Sequence, residues 1–153
     1  MEDRTTHPRL ARRTTPHLAA VALVLSMIAP ALRAHDAAQP EVRPGRIVTP
    51  LMSHPLDDVP GKVTHVLTIE YAPGFEAPSH THPGRLYGYV LEGSFTTELD
   101  GQPRTTYTKG EAFFEPAGAV HRISRNPSST EPLKLLIFIV ADEGQPLAAP
   151  VKP

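Results

Sequence analysis

Three histidines, His80, His82 and His121, have the residue type and spacing that indicate chemistry in this chain. His80 and His82 are separated by one residue in a strand-like segment, and side chains on a strand alternate between its two faces. Their imidazoles should therefore point the same way, close enough to share one metal ion. His121 follows a Pro-Ala-Gly turn at residues 116–118 that should start a new strand, and folding that strand against the first would bring the third imidazole to the same point. The three histidines are our predicted metal site.

The available ligand types limit the metal. The chain contains no cysteine, which excludes disulfides, thiolate ligands and a cysteine nucleophile. Imidazole suits Fe, Cu, Ni and Zn and, more weakly, Mn, so we expect one divalent transition metal from this group. Three protein ligands leave coordination positions open for water, dioxygen or substrate. The sequence assigns no further catalytic residue.

Other classes of function find no support in the sequence. The chain has no Gly-x-Ser-x-Gly elbow, no Gly-x-Gly-x-x-Gly after a strand and no phosphate loop, so nucleophilic and nucleotide-dependent mechanisms are set aside. From residue 39 onward, ten Lys and Arg residues face thirteen Asp and Glu residues, a net charge of −3 with no basic run. Nucleic acid is therefore not an expected partner, and we expect a small-molecule ligand or substrate.

Two segments resemble the motifs of the cupin superfamily. Residues 74–93, with a glycine, five residues, His-x-His and a closing glycine, resemble the first cupin motif. Residues 110–126, with glycine, proline, glycine, histidine and asparagine in the family's order, resemble the second, Asn126 lying one residue further on than usual. The resemblance implies a small single-domain cupin of the RmlC-like type, a jelly-roll β-barrel whose histidines bind a metal.

The first motif lacks its glutamate ligand, because the aligned position is Leu86. Three neutral imidazoles would leave the ion its full charge and favour an anionic oxygen ligand such as an enolate, catecholate or carboxylate. Similar three-histidine cupins include dioxygenases of diketones and hydroxylated aromatic acids. Another carboxylate is the alternative, from Glu76, Glu98 or Glu115. Tyr87 neighbours the lost position but should face the opposite side of its strand, as part of the wall.

Short strands separated by Gly and Pro turns predict an all-β sandwich or barrel, which the cupin resemblance narrows to a jelly roll. The run at 133–140 is continuously apolar and indicates a strand buried on both faces. The aromatic residues near the motifs and in this run should form core and barrel wall. The predicted strands are 63–71, 87–91, 94–99, 103–108, 112–115, 120–124 and 133–140, with 46–51 as a further edge strand.

The start of the chain predicts export. Arginines precede an apolar stretch at residues 18–28 that is shorter than the roughly 20 residues a transmembrane helix needs. Residues 1–38 are therefore predicted to be a signal peptide, cleaved at a site between 31 and 38, which places the mature protein in the periplasm or outside the cell. An uncleaved membrane anchor is the alternative.

The remaining organisation follows from proline density and strand pattern. We expect one domain, since about 115 residues suffice for one core and not two. A homodimer is expected, with the proline-rich arm lying across the partner, because small barrels gain by covering their edge strands. The predicted segments are an extended proline-rich arm at 39–60, the cupin barrel at 61–142 and a mobile tail at 143–153.

Together these features predict an exported, metal-dependent oxidoreductase of the dioxygenase type that acts on an oxygen-rich small molecule. The alternative is a non-catalytic cupin module that binds a small ligand or a metal, since the fold alone does not determine function.

Overall fold

The computed structural model of the protein describes residues 38–151. Within this range the chain is all-β, with eleven strands in two antiparallel sheets. None of the described residues forms a helix of the length and apolar character required to cross a membrane. The predicted signal peptide lies outside the described residues, except for its last position.

The two sheets pack as a jelly roll, which confirms the predicted fold class. One sheet has the strand order β1-β2-β3-β10-β5-β8 and the other β11-β4-β9-β6-β7. All seven strands predicted beyond residue 62 are present with ends within two residues of the prediction. The strands are β1 Glu41–Arg43, β2 Arg46–Pro55, β3 Lys62–Tyr71, β4 His80–Thr81, β5 Arg85–Glu92, β6 Ser94–Leu99, β7 Thr105–Thr108, β8 Ala112–Glu115, β9 Val120–Arg125, β10 Leu133–Asp142 and β11 Ala149–Pro150.

Strand β10 lies between β3 and β5 and carries the centre of the core. Its inward side chains Leu135, Ile137 and Ile139 are at most 2% exposed. The prediction that this strand is buried on both faces is wrong, because its outward residue Phe138 is 40% exposed. A continuous apolar run does not distinguish a strand covered on both faces from one whose outer face carries apolar side chains at the surface.

The aromatic residues divide between the two faces of the large sheet. Phe113 belongs to the core, and it approaches β5 so closely that a Cβ on Gly88 would lie 2.0 Å from its ring. A side chain at position 88 would therefore push this ring out of the core. The other aromatic residues predicted as core and wall instead point outward and are 40–49% exposed: Tyr87, Tyr89, Phe114 and Phe138.

Both segments that flank the predicted barrel contact it. In the range of the predicted arm, β2 pairs with β3 and β1 pairs with β2, so residues 41–55 extend this chain's own sheet. The position of the arm across a partner subunit stays a prediction. At the other end, the expected mobile tail instead makes specific backbone contacts within its described part: β11 pairs with β4, and the amide of Val151 donates to the carbonyl of Ser79.

Candidate metal centre

The structure brings His80, His82 and His121 together, with one ligand nitrogen of each lying within 4.8 Å of the others. His80 and His121 are directly opposed in the β4–β9 pair, and their rings stack with centroids 4.7 Å apart. His82 follows β4 and is edge-on to the other two rings, at centroid distances of 5.0 and 5.3 Å. The cluster is therefore produced by one short strand pair and the residue after it.

Backbone hydrogen bonds hold the two histidine segments against each other. The amide of Gly118, in the predicted Pro-Ala-Gly turn, donates to the carbonyl of His82 at 2.7 Å. The hydroxyl of Ser79 donates to the carbonyl of His121 at 2.6 Å. The turn that starts β9 thus also fixes the position of His82, so the two motifs form one structural unit.

The rings of His80 and His82 are oriented by carbonyl groups. His80 Nδ1 donates to the Pro78 carbonyl at 2.8 Å, and His82 Nδ1 donates to the Leu147 carbonyl at 2.7 Å. Because each Nδ1 carries the hydrogen, each Nε2 presents its lone pair, as in metal-binding histidines whose other nitrogen is held by a carbonyl. The partner of His82 belongs to the segment predicted as a mobile tail.

Burial keeps these two imidazoles neutral, which is the form that binds metal. Desolvation lowers the pKa of His80 to about 4, against the opposing effect of its hydrogen bond to Pro78. Desolvation also lowers the pKa of His82, against its bond to Leu147 and the nearby charge of Glu115. Near neutral pH, both rings therefore remain uncharged and can bind a metal ion.

A carboxylate lies at the cluster, supplied by Glu115 on β8. Leu86 faces the interior as the alignment predicts, is 2% exposed, and is directly opposed to Glu115 in the β5–β8 pair. Glu115 is also 2% exposed, and its Oε2 lies 2.5 Å from His121 Nε2 and 4.0 Å from His82 Nε2. Among the carboxylates considered as alternatives, Glu115 is therefore the one that the neighbouring strand places beside the histidines.

The other two alternative carboxylates lie at the surface. Glu98 pairs with Arg104 at 3.0 Å, and Glu76 lies 3.9 Å from Arg125. Of the three candidates, Glu115 alone contacts histidines of the cluster. Glu115 is two residues from Phe113 and so shares its inward face, but only the structure shows which of the two adjacent phenylalanines faces the core.

The donor set fits a metal ion. Three imidazoles and one carboxylate are ligands that divalent transition metals accept. The three imidazoles converge with two of the Nε2 lone pairs available, and Glu115 contacts the group at His121. The buried Nδ1 of His121 has no hydrogen-bond partner among residues 38–151, so Glu115 is the group that orients this ring.

The cluster opens into a cavity of about 420 Å³. Most of its wall is apolar, and a polar pair lies on it: the buried hydroxyl of Tyr71 is 3.3 Å from that of Ser124. Burial raises the pKa of Tyr71, against the effect of this hydrogen bond, so the phenol stays protonated. The apolar lining consists of Val48, Leu67, Ile69, Leu86, Phe95, Phe113, Leu135, Ile137, Ile139 and Leu147, with proline and alanine from the tail segment.

The last residue of the second motif has a structural role. Asn126 is fully buried, and its amide donates to the carbonyls of Ala72 and Glu131 while its oxygen accepts from the amide of Ser128. It therefore joins the loop after β9 to the end of β3. Of the histidines not assigned to the site, His65 contacts Ser53 away from the cluster.

Comparison with known proteins agrees with this geometry. A family model described as a cupin domain matches residues 67–140. No curated protein matches the chain.

Solved structures share the fold at low identity. An RmlC-like cupin from Shewanella frigidimarina NCIMB 400 is 20% identical over 72% of this chain and 89% of its own, with a TM-score of 0.55. The polyketide cyclase RemF from Streptomyces resistomycificus is 22% identical over 77% and 82%, with a TM-score of 0.56. The DMSP lyase DddQ from Ruegeria pomeroyi DSS-3 is 21% identical over 59% of this chain, which spans 44% of the lyase chain, with a TM-score of 0.52. These likenesses show the fold alone.

Proposed function

The chain is a small member of the cupin superfamily, and from that premise we propose that it is a metal-dependent enzyme acting on a small, oxygen-rich molecule bound in the cavity. The observation that carries the proposal is the convergence of three imidazoles, with the buried Glu115 carboxylate beside His121, at the wall of a cavity of about 420 Å³. Such a site combines metal ligands with space for a substrate, which a purely structural metal site does not need.

The three histidines and Glu115 would hold one divalent transition metal, from Fe, Cu, Ni, Mn or Zn. When bound, such a metal supplies a Lewis acid and, for the redox-active members of the group, one-electron chemistry. Glu115 would cancel one positive charge, so the site's attraction for anions is weaker than three histidines alone would give. Where the wall is apolar, it lowers the local polarity and strengthens polar contacts made inside.

Oxidation of the dioxygenase type is the first reaction we propose, because imidazole ligands suit iron and copper and the cavity admits a small oxygen-rich molecule. A second reaction class is proton transfer, as in elimination or cyclisation. The observation that favours it is the protonated Tyr71 hydroxyl on the cavity wall, paired with Ser124, where a phenol can donate or accept a proton at a bound substrate. A lyase and a cyclase among the similar structures are compatible with this class.

Oxygen consumption and product analysis, with catechols, flavonols and diketones as substrates, separate the two reactions. An oxidoreductase should consume oxygen when loaded with iron or copper and not when loaded with zinc. A proton-transfer enzyme should turn over with zinc and without oxygen uptake, and Tyr71→Phe should lower its rate roughly a hundredfold or more. Tyr107→Phe is the matched control, since Tyr107 packs on Phe113 but is not itself part of the cavity lining. Binding without turnover of any substrate would favour the non-catalytic cupin module.

We also propose that the protein is exported to the periplasm or secreted after cleavage of residues 1–38. The support is the arginine-led apolar stretch at residues 18–28 and the small residues that follow it. Amino-terminal sequencing of the protein recovered from the periplasm or medium should find a start between residues 32 and 39. A protein that keeps its first residues and sediments with membranes would contradict the proposal.

A further inference from the structure

Three charged residues of the first two strands line the same cavity as the histidines: Glu41 and Arg43 on β1 and Arg46 on β2. The side chains of Arg43 and Glu41 are 69% and 49% exposed, so this part of the lining lies where the cavity meets solvent. A ligand that enters the cavity past these residues would meet their charges before it reaches the histidine cluster.

The two arginines differ in environment. The side chain of Arg46 is 26% exposed, whereas that of Arg43 is 69% exposed. Arg46 is directly opposed to Tyr71 in the β2–β3 pair, and directly opposed side chains lie on the same face of a sheet. Because Tyr71 is buried and lines the cavity, Arg46 is on the cavity side of its strand.

Arg46 lines the same cavity as the histidine cluster and the buried Tyr71. A ligand group held by its guanidinium would therefore share this cavity with the cluster.

Arg46 has more hydrogen-bonding capacity than the protein uses. Its Nη2 donates to Glu41 Oε1 at 3.1 Å, and no other acceptor lies within reach of it among residues 38–151. The same Glu41 oxygen also accepts from Arg43 Nε. Two guanidinium groups thus share one carboxylate, which leaves this group of three residues with a net charge of +1 and several N–H donors unused.

We propose that Arg46 binds a carboxylate group of the substrate, so that the substrate is a small carboxylic acid whose other oxygen atoms reach the histidine cluster. The inference rests on the proposed function, to which it adds the substrate class. Arginine suits this role because its planar donors match a carboxylate at two points and its charge persists in a partly desolvated position. The net charge of +1 on Glu41, Arg43 and Arg46 also favours an anion at the solvent end of the cavity.

Paired probes that differ by one carboxylate test the assignment. Zinc-loaded protein, which does not oxidise catechols, would be titrated calorimetrically with catechol and with 2,3- and 3,4-dihydroxybenzoate. Wild-type protein should bind at least one dihydroxybenzoate roughly tenfold or more tightly than catechol, the effect of one charge-assisted contact. Arg46→Gln should abolish this preference. Arg43→Gln, which removes the same charge from a solvent-exposed neighbour, should preserve most of it.

Glu41→Gln distinguishes a ligand-binding role from a structural one. If Arg46 binds substrate, loss of the Glu41 carboxylate frees N–H donors of Arg46 and removes a negative charge that repels an anionic ligand. The preference for dihydroxybenzoate over catechol should then increase. If Arg46 serves only to join β1 to β2 through Glu41, the variant should lower the melting temperature and leave the preference unchanged, which would overturn the inference. Circular dichroism would confirm that the variants are folded, and Arg46→Lys, which keeps the charge, should retain part of the preference.

The outcomes separate this inference from the proposed function. Equal binding of catechol and both dihydroxybenzoates to wild-type protein would overturn the role of Arg46 and leave the metal-dependent enzyme in place. Failure of zinc, or of every probe, to bind would overturn both. A preference that Arg43→Gln removes as fully as Arg46→Gln would also overturn the assignment, because the effect would then belong to the general charge of the surface.

Discussion

Replacing Glu115 with glutamine should weaken metal binding at the histidine cluster about a hundredfold or more. Glutamine keeps the size of the side chain and removes its charge. Glu115 is 2% exposed, with its Oε2 2.5 Å from His121 Nε2 and 4.0 Å from His82 Nε2, so it lies among the metal-binding atoms. Groups that merely support a ligand change metal affinity about 10- to 100-fold, and a carboxylate in this position should have at least the larger effect.

The same loss can be measured as stability. A hundredfold change in affinity corresponds to about 2.7 kcal/mol, and a metal that binds only the folded state stabilises it by RT ln(1 + [L]/Kd). At saturating metal, the metal-induced increase in melting temperature should therefore shrink by roughly 10 °C for a domain of this size. The metal-free stability of the variant is measured separately, because Glu115 also contacts His121 and its loss can change stability without any metal.

Melting curves with and without zinc measure the metal-induced increase in melting temperature and the metal-free stability in one experiment. Glu98→Gln and Glu76→Gln are matched controls, since they make the same chemical change in carboxylates paired with arginines at the surface. The metal-induced shift should be unchanged in both controls. An unchanged shift in Glu115→Gln, or an equal reduction in either control, would refute the assignment of the carboxylate ligand.

Four further predictions follow from the same geometry. Alanine at any one of the three clustered histidines should abolish stoichiometric metal binding by elemental analysis, whereas His54→Ala should not; equal metal content would contradict the site. Leu86→Glu in a Glu115→Leu background should restore metal binding lost in the single Glu115→Leu variant, because the two positions are directly opposed. The stability of the metal-free protein, measured in denaturant titrations, should fall as the pH drops from 6.5 toward 4. In this range an unfolded histidine, with the ordinary pKa of 6.5, takes up a proton, whereas buried His80, with a pKa of about 4, does not. His80→Asn should flatten that pH dependence. Light scattering on residues 39–153 should report a homodimer, since edge strands and outward-facing aromatic side chains favour association, and a monomer at micromolar concentration would contradict it.

Most of the fold could be predicted because its strands have local signals. β3, β6 and β8 show alternating or β-branched residues between turn residues, and their predicted ends agree with the structure to within one residue. The two-residue strands β4 and β11 have no periodicity to detect, and their pairing joins residues far apart in sequence. The sequence therefore predicts a mobile tail, whereas in the structure the carbonyl of Leu147 in this segment orients His82.

The histidines of the site could be predicted for the same reason, since their spacing alone places two of them on one face of a strand. The missing carboxylate is different, because its identity depends on the register between β5 and β8. A shift of β8 by one residue in that register would move each of its side chains to the other face of the sheet and place Phe114 opposite Leu86. No local pattern determines such a register, so Leu86 could be identified as facing the cluster while its neighbour across the sheet could not.

The strand pattern of β8 would, by sequence alone, have turned Glu115 outward, because Ala112 and Phe114 form the more apolar face. The structure instead has Phe113 and Glu115 inward, at 7% and 2% exposure. A carboxylate on the buried face of a strand costs several kcal/mol unless it has a partner. The nearest group able to supply one in the second motif is His121, six residues further on and across the Pro-Ala-Gly turn. A leucine at position 115 would complete the core at a lower cost in folding free energy. The buried Glu115–His121 pair therefore favours a role in binding a ligand over a role in stability.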